Sequence, residues 1–247
     1  MCYSDDAHPP FPPVIAGGAA DAAELTLRSA DGTEFDAYHA RTSQPSGAAI
    51  VILPDVRGLH DFYKELAQRF AEAGVHAIAI DYFARSAGQG TARDESFEYR
   101  PHVEQAKAEI VDADARVAIE YMRSPDGGGA ERVYTVGFCW GGSNSWRQSA
   151  TQEGLAGAIG FYGIPSRVQD YAERMRTPLL IFAAGQDFTP VEDTERFAES
   201  VRANGVEVEL QVYPDAPHSF FDRSFEQHRA ECDDAWRRML AFMGAAV

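Results

Sequence analysis

The chain has 247 residues, 45% of them hydrophobic, and its 38 acidic against 22 basic side chains give a formal charge of −16. That length and apolar content allow one sizeable core, and the acidic balance argues against a nucleic-acid surface. The acidic opening lacks the basic flank and apolar stretch of a secretory leader, no run of about 18 apolar residues exists, and Cys2, Cys139 and Cys232 are too far apart for zinc spacing. A reducing cytoplasm, no membrane contact and no metal or other cofactor are therefore expected.

Residues 1–21, rich in Pro, Ala and Gly, read as an irregular surface arm, and 22–247 as a single domain. The alternating runs 24–28 and 34–39, joined at Asp31-Gly32, predict a hairpin. Apolar strands at 48–53 and 76–80 flank an amphipathic helix over 61–73, the pattern of a βαβ unit. Between Ala84 and Pro101 a polar, glycine-containing connection reads either as a mobile surface segment or as a pocket rim that brings Arg100 inward. A helix over 102–122 precedes a strand at 133–138, and buried strands follow at 157–161 and 178–184. A helix from near Val191, a strand over 206–213 and a terminal helix from near Phe225, carrying Trp236, Leu240 and Phe242 toward the sheet, complete the chain. The expected fold class is α/β: a central, mostly parallel sheet with helices on both faces and its site at the strands' carboxyl ends.

The run Gly137-Phe138-Cys139-Trp140-Gly141-Gly142 has the GxCxG form of a nucleophile elbow. Such a turn drives a strand directly into a helix, so the residues two places either side of the nucleophile must lack a side chain. It also aims the amide after the nucleophile, that of Trp140, at the space where an acyl oxyanion forms. Alone, a glycine-flanked cysteine is as readily an inert core residue. The chain order of the acid and the base downstream of the elbow decides between the two. Asp187 sits in the turn Gly185-Gln186-Asp187 after one strand, and His218 in Pro217-His218-Ser219-Phe220 after the next. Nucleophile, acid, histidine, each just past a strand, is the α/β-hydrolase arrangement. Singly, Asp187 could cap the helix near Val191 and His218 could be a solvated loop histidine. Asp215 is the rival acid, though three residues from His218 it suits an Asx turn, and His60 is the rival base. Trp140, Tyr82, Phe188, Phe220 and Phe221 adjoin the site in sequence and are pocket candidates.

From about Glu24 to the C-terminus the chain resembles the dienelactone hydrolase (carboxymethylenebutenolidase) family. The resemblance rests on the cysteine elbow, Gly160-Phe161-Tyr162-Gly163, the acid turn, the His218 loop, Leu53-Pro54-Asp55-Val56-Arg57-Gly58 and Asp81-Tyr82-Phe83-Ala84-Arg85. It implies a triad of Cys139, Asp187 and His218 and an oxyanion hole from the amides of Val56 and Trp140. The family's activating glutamate falls at Asp55, one methylene shorter. Of its two substrate-binding arginines, one is expected at Arg100. The other place is taken by Asp222, with Arg223 adjacent, so Arg57 and Arg85 are further cation candidates.

Sulfur at the elbow favours activated acyl donors, because a thiolate is both a good nucleophile and a good leaving group. The expected activity is hydrolysis of activated esters or enol-lactones through a thioester. An acyl thioesterase, another carboxylesterase, a peptidase-like member or a non-catalytic binding module on the same fold are the alternatives. The expected partner is a small ester or lactone substrate, and the expected assembly a monomer or small homo-oligomer.

Overall fold

The computed structural model describes residues 5–13, 21–222 and 224–245, so Cys2, Arg223 and part of the predicted arm lie outside the described residues. The strands are β1 (Ala22–Arg28), β2 (Glu34–Ala40), β3 (Ala48–Leu53), β4 (His76–Ile80), β5 (Arg132–Phe138), β6 (Gly157–Phe161), β7 (Leu179–Gln186) and β8 (Val208–Pro217). They form one sheet in the order β1-β2-β4-β3-β5-β6-β7-β8; β1 and β2 are antiparallel and the other six parallel. The β1–β2 turn closes as expected at Gly32, whose φ of 87° suits glycine, with Thr33 N–H donating to the Asp31 carboxylate.

The helices are α1 (Asp61–Glu72), α2 (Ala84–Ala87), α3 (Arg100–Gln105), α4 (Ala108–Arg123), α5 (Trp140–Thr151), α6 (Val191–Arg202) and α7 (Arg229–Met243). The chain leaves β3 for β4 in one direction through α1 and returns to β5 in the other through α4. Right-handed crossovers therefore put these two helices on opposite faces. α7 joins α1's layer, Phe70 meeting Trp236 at 4.7 Å between ring centres, and α5 and α6 share the other through Trp146 and Phe197. Strands β3, β4 and β6 are buried along their whole length, which is why they read as continuous apolar runs rather than alternating ones.

Three sequence expectations are corrected. The helix foreseen over 102–122 is two helices, α3 and α4, because Lys107 turns extended, with ψ at 155°. The first turn of α3 is tied elsewhere: His102 bonds Ser86 Oγ at 2.9 Å and stacks on Phe97 at 4.9 Å. The last helix starts at Arg229 rather than near Phe225, since the chain first makes a turn in which His228 N–H bonds back to Ser224 and Phe225. Finally, β8 continues through Pro214-Asp215-Ala216-Pro217, residues that read as a loop. As the last strand of the sheet it can carry prolines where a central strand cannot.

Candidate active site

β5 runs directly into Cys139 at φ 55°, ψ −117°, a conformation that costs on the order of 1–3 kcal/mol and persists only where its surroundings enforce it. The enforcement is visible. Cys139 N–H donates to the Phe161 carbonyl at 3.1 Å, and Gly142 N–H donates back to Cys139 O at 3.0 Å. A Cβ on Gly137 would lie 1.9 Å from Gly141 O, and one on Gly141 would lie 2.1 Å from Leu53 O. Both glycines are thus there to let α5 turn back over β5 and pass against the 53–54 backbone. The sulfur residue is buried, at 9% exposure.

That close approach brings the start of α5 beside the loop after β3. Among the described residues, neither the Trp140 nor the Val56 N–H is taken by a hydrogen bond within the protein. The loop is held from both sides: Tyr63 Oη accepts the Asp55 N–H at 3.0 Å, and Tyr82 Oη donates to the Pro54 carbonyl and, at 3.2 Å, to that of Asp55. Burial first, then the neighbouring charges of Asp55, Asp81 and Cys139, push the Tyr82 phenol well above its usual value, so it stays a donor. Tyr82 is therefore a brace for the loop. The Asp55 side chain is fully buried and its Oδ1 accepts Arg57 N–H at 2.9 Å.

Asp187 and His218 come together through the β7–β8 ladder. Its register shifts between Ala184 and Gln186, where a Cβ on Gly185 would lie 2.2 Å from Pro214 O, and Gln186 then pairs with Pro217. The next residues, Asp187 and His218, consequently face each other. His218 Nδ1 is 2.9 Å from each Asp187 oxygen, and Asp187 Oδ1 also accepts Phe188 N–H at 2.6 Å. Tyr162, held at φ 38°, lays its ring 4.8 Å from that of His218, and Phe188 lies 4.6 Å from it. Tyr162 Oη donates to buried Asp222 at 3.0 Å. The sequence alone assigns Tyr162 no role within the site. Its signal is the glycine on each side of Phe161-Tyr162, which marks a strand end under steric pressure.

Other candidates are placed elsewhere. Asp215 is an exposed residue of β8 rather than part of an Asx turn, and the carboxylate on His218 is that of Asp187. His60 caps α1, its Nδ1 accepting Phe62 N–H at 3.0 Å, so that nitrogen is spent on the helix. Arg85 is committed to Asp31 and Asp114 at 2.6–3.1 Å, and the buried Arg57 guanidinium to Asp5. Phe220 and Phe221 are fully buried core residues. Phe188 is the opposite case, 67% exposed, on a cavity of about 610 Å³ with Ile164, Pro165 and Pro190. Arg100 is exposed at the start of α3, and the 84–101 connection is anchored by a buried ion pair of Arg93 with Asp81 at 2.5 Å. No described helix is long and apolar enough to cross a membrane.

Residues 35–247 match the model of the dienelactone hydrolase family. An Escherichia coli K12 protein described as "Putative carboxymethylenebutenolidase" is 29% identical over 234 residues, covering 88% of this chain and 85% of its own. A solved structure described as a "Putative Dienelactone Hydrolase" from Klebsiella pneumoniae superposes with a TM-score of 0.78 at 27% identity, covering 92% of this chain and 99% of its own. The Pyrococcus furiosus esterase Pf2001, at 14% identity and TM-score 0.68, covers 95% of this chain and 98% of its own and shares the fold. With its mostly parallel sheet and elbow, the chain has the α/β-hydrolase fold and belongs to the dienelactone hydrolase family.

Proposed function

We propose that the protein is a cysteine-dependent hydrolase of activated esters or enol-lactones that works through a thioester on Cys139. The observation that carries this reading is the strained Cys139 with two uncommitted amides beside it, on the same sheet edge as the Asp187–His218 pair. In the proposed cycle the Cys139 sulfur, relieved of its proton by His218 Nε2, attacks the acyl carbon. The carbonyl electrons move to the oxygen, where the Val56 and Trp140 N–H groups would receive it. Collapse restores the carbonyl, breaks the bond to the leaving oxygen, and passes the proton from His218 to it. Water, deprotonated by His218, then attacks the thioester and expels the thiolate. Asp187 orients the imidazole and stabilises its cation. Asp55 is proposed to tune the cysteine, and the Asp at 222, where the resemblance expects the family's second substrate-binding arginine, supports a neutral rather than a carboxylate-bearing substrate. Arg57 and Arg85, engaged with carboxylates, give no support for binding an anion, which leaves Arg100 as the cation to test among the described candidates.

Incubation with p-nitrophenyl acetate should yield a 4-nitrophenolate burst and an acetyl adduct on the peptide containing Cys139, seen by mass spectrometry at low pH. Turnover with no adduct on Cys139 would sink the assignment. Arg100→Ala should leave the KM for neutral esters within about twofold. A selective rise for an anionic lactone would instead restore Arg100 as a substrate-binding residue.

A further inference from the structure

We propose that the N-terminal arm is a latch on the oxyanion loop, with Asp5 the positioning residue that holds Val56 in place through Arg57. The inference rests on the reading of the Val56 N–H as an oxyanion donor. Arg57 follows Val56 directly, and its side chain is only 1% exposed. Its Nη2 donates to Asp5 Oδ1 at 2.5 Å and to the Arg93 carbonyl at 3.1 Å, while its own N–H is held by Asp55 Oδ1. His60 Nε2 approaches the same Asp5 oxygen at 3.4 Å. Asp5 thus reaches in from the surface, its side chain 48% exposed, to face a cation that the fold has otherwise removed from water.

The described residues that follow are seated so that Asp5 can do this. His8 meets Glu65 of α1 at 2.6 Å, Arg69 lies over the Phe11 ring at 3.9 Å, and the Pro10 carbonyl accepts the Trp236 indole N–H of α7 at 3.1 Å. Asp5 N–H bonds Glu95 at 3.4 Å, so the arm also touches the connection after β4. A buried guanidinium that loses a carboxylate partner is strongly disfavoured and turns toward water. Here such a turn would move the Val56–Arg57 peptide, and a misplacement of ~1 Å in a reacting constellation costs about 10²-fold.

Wild type, Asp5→Asn, Asp5→Glu and Glu65→Gln are to be compared on p-nitrophenyl acetate and for inhibition by phenylacetaldehyde, whose thiohemiacetal on Cys139 would place its oxygen at Val56 and Trp140. Asp5→Asn should lower kcat by about tenfold or more with KM within about threefold, and weaken the aldehyde by a similar factor. Asp5→Glu should recover most of both. Glu65→Gln removes one of several contacts that seat the arm and leaves the Asp5–Arg57 pair and the Phe11 and Pro10 contacts in place, so it should keep kcat within about twofold. An Asp5→Asn enzyme with wild-type kcat, equal losses in Asp5→Asn and Glu65→Gln, or unchanged aldehyde affinity would each overturn the latch. Wild type that forms no adduct on Cys139 would overturn the hydrolase reading first, and the mass spectrum separates that failure from the others.

Discussion

Two histidines stand near opposite ends of the same sheet, and their surroundings differ in one decisive group. His218, past the carboxyl end of β8, has a carboxylate at 2.9 Å and a strained cysteine on the same sheet edge. His39, near the amino end of the parallel strands, meets the Tyr121 hydroxyl at 3.3 Å and the Gly127 backbone, with Arg41 and His76 nearby and Asp21 acting more weakly. Burial, followed by the charges of Arg41 and His76, pushes His39 down to about 4. The same residue type is thus placed once against a carboxylate and once in buried surroundings that refuse a positive charge. The proposed proton transfer is assigned to the first end, and neutral packing marks the second.

The largest effect should come from the first end. Cys139→Ala should remove ester hydrolysis by about 10³-fold or more, whereas Cys232→Ala should stay within about twofold. Cys232 is buried in α7, its sulfur donating to the Phe220 carbonyl at 3.6 Å and its thiol pushed up by burial and the acidic residues around it. Comparable losses in the two variants, read as initial rates on aryl esters, would erase the distinction. Next, His218→Ala should cost about 10³-fold and Asp187→Asn about 10²-fold, while Asp215→Asn should cost nothing measurable. A larger loss in Asp215→Asn than in Asp187→Asn would reverse the assignment of the acid.

The smallest effect concerns the other end. In the fold His39 binds its proton only near pH 4, whereas the unfolded chain takes it up near 6.5. Below 6.5 the unfolded state therefore holds more protons, and the stability associated with neutral His39 is fully present above 6.5 and is lost as pH falls toward 4. Urea unfolding at pH 7.5 and 4.5 should show about 1–2 kcal/mol of this loss removed in His39→Gln. An identical pH dependence in that variant would show that His39 is not held neutral by the fold.

Much of this was legible because the parallel strands are buried on both faces, so their apolar runs stand out, and because Gly137, Gly141 and Cys139 must be near one another in sequence for the turn to form at all. What the sequence hid were relations set by tertiary contact. Pro214 and Pro217 spoke for a loop, and only the position of β8 as last strand makes them tolerable. The break between α3 and α4 follows from where His102 is tied, with no glycine or proline at Ala106-Lys107 to announce it. Arg57 and Arg85 looked like cations available to a substrate, and their partners Asp5, Asp31 and Asp114 lie 29 to 54 positions away. Pairings at such separation leave no local trace.

The irregular pairing at Gly185 has a consequence for how the protein fails. Because Asp187 and His218 are brought opposite each other through β8, one of the sheet's two edge strands, their alignment depends on a strand with a ladder neighbour on one side only. Peripheral strands fray before the centre of a sheet melts. On heating, Asp187 and His218 should part company while the elbow, clamped between β3 and β6, is still intact. If that pair carries the proposed chemistry, activity becomes a gauge of the fold's margin and is lost before the core melts.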